Sequence, residues 1–139
     1  MNLYKQFKTN PDLEKSGIFI EYGKNSKGEN ISFKVARAGG DNVRYTKYLE
    51  SKLKPHRRLL QLDSMDPKLL ESIILDAFCN AVLISWSGVE GEDGKEIKFS
   101  TDAAIKLFTD LPELYKDLQT QCANAALFRA DVLEADVKN

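Results

Sequence analysis

Residues 17–35 read GIFIEYGKNSKGENISFKV, and the alternation inside them decides the start of the fold. Ile18, Ile20 and Tyr22 recur at every second position, and so do Ile31, Phe33 and Val35. A period of two places each set on one face of a strand. Between the runs, Asn25-Ser26-Lys27-Gly28 supplies turn residues, with Gly28 able to take positive φ. The pattern predicts a β-hairpin over residues 17–38. Upstream, residues 1–16 show little periodicity and are expected to be a mobile or partner-dependent start.

Downstream the period changes. Gly39 and Gly40 break the strand, and Asp41 is placed to cap a helix running to about Leu53. Tyr45, Tyr48, Leu49 and Leu53 form its apolar stripe, while Arg44, Lys47 and Lys54 share a separate basic face. Pro55 disfavours helix at Lys54 and ends or kinks the element. Asp66-Pro67 then announces a second helix, to about Ser85. It is apolar nearly all round, from Leu69 to Ile84, and such a helix is expected at the centre of the molecule. Trp86–Val89 and Glu96–Phe99 flank the tract EGEDGK, which reads as a second short hairpin or ordered turn. Ser100 should cap a short helix to Thr109. Asp110-x-x-Glu113 should open a last helix to about Asp136, burying Leu111, Leu114, Leu118, Cys122, Ala125 and Val132. The expected class is mainly α, or α+β: an N-terminal hairpin followed by a small helical bundle over 41–139, in one domain spanning 1–139.

Composition narrows the function classes. At 139 residues and 42% apolar, the chain can bury roughly 65–70% of its unfolded surface without disulfide or metal support. The longest uncharged stretch, Ala77–Val89, is too short for a membrane-spanning helix, which needs ~20 residues. The polar N-terminus has no secretory h-region, so a cytoplasmic setting is expected. Cys79 and Cys122 are isolated within helical patterns and read as buried reduced thiols. Net charge is −1, but residues 34–58 hold eight basic side chains against two acidic. Residues 59–139 hold fifteen acidic against seven basic. This polarity suits an acidic partner, nucleic acid, or a second copy bound head to tail.

Catalytic chemistry finds few residues. His56 is the single histidine and the cysteines are unpaired, so no metal or cofactor site is expected. Gly39-Gly40 before a helix reads as a strand-to-helix turn rather than an anion site. The acidic tract at 90–96 lacks the ligand spacing of a calcium loop. The basic segment 34–58 could serve nucleic acid, yet Tyr45 and Tyr48 lie on the apolar stripe, away from its cations. Arg44, Lys47, Lys54, Arg57 and Arg58 are instead the candidate protein-interaction residues.

One succession is more specific. A buried helix, ILDAFCNAVLIS, leads into WSGVEGEDGKEIKFSTDAAIKLFTDLPEL, then into a helix ending ALFRADVLEADVKN. Trp-x-Gly-Val, an acidic Asp-Gly-Lys turn, Phe-Ser and Ala-x-x-Leu-Phe before proline, in that order, resemble the tail assembly chaperones of long-tailed bacteriophages. The earlier FKVARAGGDNVRYTKYLESKLKPHRR is similar to the N-terminal half of such proteins. The resemblance implies structural roles for Trp86, Gly88, Val89, Gly94, Phe99, Leu107 and Phe108.

It also implies a non-enzymatic protein without cofactors. Such a protein binds the tape measure protein, keeps it soluble, and promotes polymerisation of the major tail tube protein around it. It acts in the host cell cytoplasm and is absent from the mature virion. Separately, the charge polarity between the basic Arg44, Lys47 and Lys54 face and the acidic C-terminal half suits head-to-tail self-association as a ring or spiral. Members of that family are often made in two forms by ribosomal frameshifting, and a chain ending at Asn139 would match the shorter. The alternatives are a small nucleic-acid-binding or regulatory protein using residues 34–58, and a structural tail component.

Overall fold

A computed structural model describes residues 2–129 of the protein. Strands β1 (Ile18–Lys24) and β2 (Asn30–Val35) pair antiparallel, with Ile18 opposite Val35 and Ile20 opposite Phe33. The turn is fixed by Asn25, whose side-chain oxygen accepts from the Lys27 and Glu29 amides at 2.9 and 3.0 Å. Ile20, Phe33 and Val35 are buried, so the alternation read from the sequence is the core face of the hairpin.

The hairpin does not stand alone. The apolar helix α5 (Pro67–Ala81) stops four residues before the expected Ser85, and Leu83–Ser87 form β3 on the far side of β2. The result is a three-stranded antiparallel sheet in the order β1-β2-β3, within an α+β fold. Trp86 pairs with Phe33 and Leu83 with Val35, although Leu83 and Trp86 are three positions apart and Phe33 and Val35 only two. The extra residue is a bulge, which lets Leu83 and Trp86 address the same face. The second short hairpin or ordered turn is present as a Glu90–Glu96 bridge, flanked by the Ile97 amide donating to the Val89 carbonyl and the Gly91 amide to the Lys95 carbonyl, both at 2.9 Å, while Trp86 belongs to the sheet.

Behind the sheet lie the C-terminal turns of α5, then α6 (Thr101–Asp110) and α7 (Pro112–Ala123). Phe33 meets Tyr22 and Trp86 edge-on at 5.7 and 5.9 Å, and Phe108 at 6.5 Å. Phe78 packs on Phe108 and Tyr115 at 6.0 and 5.3 Å. Leu118, Cys122 and Val82 complete the buried centre. Burial pushes both thiols, Cys79 and Cys122, up to about 12, so they are protonated packing groups. α6 starts as expected, with Ser100 accepting from the Ala103 amide. α7 ends at Ala123, well short of the expected Asp136, where Asn124 adopts extended backbone and caps a 3-10 turn, Ala125–Phe128. Leu111, expected in the buried stripe, is 49% exposed. Val132 and Asp136 lie outside the described residues.

The start of the chain is pinned, not loose, from Thr9 onward. Helix α2 (Pro11–Ser16) carries Glu14, buried at 1% exposure, which accepts from Arg37 at 2.9 Å and from the Asp41 amide. Burial works to raise its carboxyl, but hydrogen bonds from Thr9, Asp41 and Arg37 outweigh it and hold it below the ordinary value. Asn10 donates to the Phe128 carbonyl at 2.6 Å, tying the start to the end of the described chain. Only α1 (Leu3–Phe7) remains outside, with Leu3, Tyr4 and Phe7 exposed.

Two tests follow from this packing. Gly88 has φ +74°, and a Cβ there would lie 2.2 Å from the Asn30 carbonyl oxygen, whereas Gly94 at φ +76° faces open space. In urea denaturation, Gly94→Ala should cost about 1 kcal/mol, the left-handed backbone penalty alone. Gly88→Ala should cost about 3 kcal/mol, because overpacking adds to it. The Glu14 carboxyl is lowered on folding, so its stabilisation is complete above 4.5 and lost as pH falls through the folded-state value. Glu14→Gln should therefore flatten the acid limb of a stability-versus-pH curve and cost about 2–3 kcal/mol at neutral pH.

Candidate interaction surface

Residues 43–76 contain no buried side chain. They form an arm: α3 (Val43–Leu53), a 3-10 turn at Lys54–His56, α4 (Arg57–Gln61) and the N-terminal two-thirds of α5. Pro55 bends the chain without ending the helical run, because a 3-10 turn tolerates proline in its first positions. α3 lies along α5, and Tyr45, Tyr48, Leu49 and Leu53 of its apolar stripe are all half-buried. Tyr48 donates to Asp76 at 2.8 Å, and Lys52 sits 5.5 Å over the Tyr48 ring.

The root of the arm is knotted to the core. Asn42, 4% exposed, donates through its side-chain amide to the carbonyls of Arg37 (2.8 Å) and Ala81 (3.0 Å). That use of Asn42, at the N-cap position, explains why α3 begins without a side-chain cap, from Asp41 or otherwise.

The candidate basic residues separate into two groups. Arg44 is committed to the root, donating to the Asn80 carbonyl at 2.9 Å, where a cation meets the negative end of α5. Lys47 is exposed farther along α3. Lys54, Arg57 and Arg58 are brought together at the tip, all exposed, beside Leu59 (43% exposed) and Leu62 (63%). Leu69 is exposed as well, and Leu70, Ile73 and Ile74 are only half-buried. The helix expected at the molecular centre is thus central only from Ala77 to Ala81.

The residues of the Trp-Gly-Val succession lie together at the opposite end of β3. Trp86 donates its indole N–H to the Ile97 carbonyl at 2.8 Å and packs edge-on against Phe99 at 5.2 Å. Val89, Leu107 and Phe108 are buried beneath. Gly94 closes the turn by donating its amide to Gly91 at 3.0 Å.

That turn stands over a surface the sequence did not disclose. Between residues 90–93 and α6 runs a cleft of about 940 Å³. Its floor is Ile97, Leu107 and Leu111, and its rim carries Glu90, Glu92, Asp93 and Asp110. A hollow of about 270 Å³, reaching Tyr22, Ile31 and Leu114, adjoins it. The Ser26 side chain and amide donate to Glu90 at 2.6 and 2.8 Å, holding its carboxyl below the ordinary range and therefore charged. The acidity of residues 90–96 was visible in the sequence. Its apposition to Leu107 and Leu111 depends on a chain path that no local signal encodes. Among the described residues no group of three or more His, Cys, Asp or Glu is arranged to hold a metal. Nor, among them, is any helix long and apolar enough to cross a membrane.

In comparison with known proteins, residues 40–139 fit the profile of the YdaY prophage protein family. No curated protein matches the chain, and no solved structure does.

The uncovered state of the arm can be tested by stability alone. Replacing Leu59 and Leu62 together by Ser should change the unfolding free energy by no more than about 0.5 kcal/mol, as at an unsupported surface. Phe78→Ala in the buried centre should cost about 3–5 kcal/mol in the same urea titration.

Proposed function

The chain belongs to the YdaY prophage protein family and is therefore phage-related, and from that premise we propose that it is a non-enzymatic tail assembly chaperone. It binds the tape measure protein in the host cell cytoplasm, keeps it soluble, and promotes polymerisation of the major tail tube protein around it. It then leaves, and is absent from the mature virion. Copies associate with one another while the client is held.

The observation that carries this reading is the arm. Along its longest helix Leu69 is exposed and Leu70, Ile73 and Ile74, which share a face with it, are only half-covered within the described residues. Exposed apolar faces of this kind mark sites where a partner completes the packing. An amphipathic helical client laid along the arm would bury them, by the helix-in-groove mode in which apolar anchors repeat at three- and four-residue spacing. The order of motifs from Trp86 to Leu114, similar to that of tail assembly chaperones, supports the same reading.

Co-expression with the tape measure protein encoded nearby tests it. The expected result is a soluble complex that co-elutes in size exclusion, from a client that is insoluble alone. Leu69→Lys with Ile73→Lys should abolish that rescue while the folded state persists by circular dichroism. A client that stays insoluble with the wild-type chain would overturn the reading. Detection of the chain in purified particles by mass spectrometry would favour a structural tail component instead.

A further inference from the structure

Resting on the self-association invoked above, we propose that the basic arm tip of one copy docks in the acidic cleft of the next, so that copies join head to tail. The two surfaces match in charge. The tip offers Lys54, Arg57 and Arg58, all exposed and none within ion-pair distance of a carboxylate among the described residues. The cleft offers Glu90, Glu92, Asp93 and Asp110, and Lys106, the one cation lining it, is occupied by Asp110 at 2.9 Å. Opposed charges of this kind steer encounter and set the register of a contact.

The surfaces also match in apolar character. Leu59 and Leu62 stand exposed beside the tip cations, and Leu107, Leu111 and Ile97 floor the cleft beneath the carboxylates. Leu111 is 49% exposed although it directly precedes a helix of the core, so the floor is open to an incoming side chain. A charged rim around a small apolar centre is the usual anatomy of a specific protein contact.

The arm is rooted at Asn42 and Ala81, immediately before β3. The cleft opens at Glu90, shortly after β3 ends. The five-residue strand between them spans about 16 Å at ~3.3 Å per residue. Arm root and cleft therefore sit at opposite ends of the sheet. A contact between two different patches is heterologous, and repeats into a ring if the rotation closes or a filament if it does not.

Sedimentation velocity of the full chain tests the contact without any client. Two charge reversals are needed: Arg57→Glu with Arg58→Glu on the tip, and Glu92→Lys with Asp110→Lys at the cleft. All four positions are exposed, and circular dichroism checks that each variant folds. The wild-type chain should associate with rising concentration at low salt, and at least about tenfold more weakly in 1 M salt, where screening acts within ~3 Å. Each double variant alone should remain monomeric. Mixed together they should associate again, because an acidic tip then meets a basic cleft. A monomeric wild-type chain at low salt overturns the proposal, as does association that survives either reversal or a mixture that stays monomeric. If the wild type is monomeric and the tip reversal instead abolishes client rescue, the tip serves the client and this contact is wrong. The chaperone reading would then stand without it.

Discussion

Phe33 occupies the point where the sheet meets the helices, and the remainder of the structure is arranged around its ring. It stands on the central strand, between Tyr22 on one neighbour and Trp86 on the other, with Phe108 behind. Edge-to-face aromatic pairs each contribute ~0.5–1.5 kcal/mol beyond the area they bury. The geometric consequence is larger than the energetic one. For Trp86 to reach Phe33, β3 must pair with β2, so α5 must end by Ala81. For Leu83 to remain in the core beside Val35, that strand must bulge. One contact thus fixes the end of a helix, the register of a strand and the direction in which the chain leaves toward the cleft.

That contact also explains what could and could not be read beforehand. The first hairpin was legible because its two strands keep a strict period of two and its turn residues are unambiguous. β3 was not, since Ala77 to Ile84 is nearly continuous in apolar side chains, and such a run reads equally as buried helix or buried strand. The bulge removed the remaining clue by placing Leu83 and Trp86 three residues apart on one face. Helix starts at Ser100 and Asp66 were legible because both are local: a side chain accepts from an amide two or three residues on. Asn42 and Glu14 were not, because their partners lie at Ala81 and Arg37. A polar side chain whose hydrogen bonds are long-range leaves no periodic trace.

The same division applies to the interaction surfaces. Basic residues of the tip could be named from the sequence because they are consecutive, and exposure of such a run is the ordinary outcome. Their separation from Arg44 could not, since that follows from the Asn80 carbonyl lying within its reach. The acidic cleft is a three-dimensional object assembled from residues 90–97 and one face of α6. Its negative rim is legible in the composition, but the opening of its apolar floor is not: Leu111, expected in a buried stripe, is 49% exposed.

The apolar helix α5 joins these observations to function. Leu69, Leu70, Ile73 and Ile74 have the character of an interior face, yet the chain supplies an interior for only the last five residues of the helix. Fully burying one leucine or isoleucine side chain is worth ~1.5–3 kcal/mol, so four such residues half-covered leave several kcal/mol of potential packing unused. The fold itself is held by the separate buried cluster around Phe33, Phe78 and Phe108. The unused packing is then free energy available to whatever covers the arm. Because α3 is held to α5 by polar contacts, Tyr48 to Asp76 and Arg44 to Asn80, the arm keeps its shape while its apolar face waits. A surface ordered before binding loses less entropy on binding. Rigidity and incomplete burial therefore belong together in this molecule: the first makes the second usable for recognition.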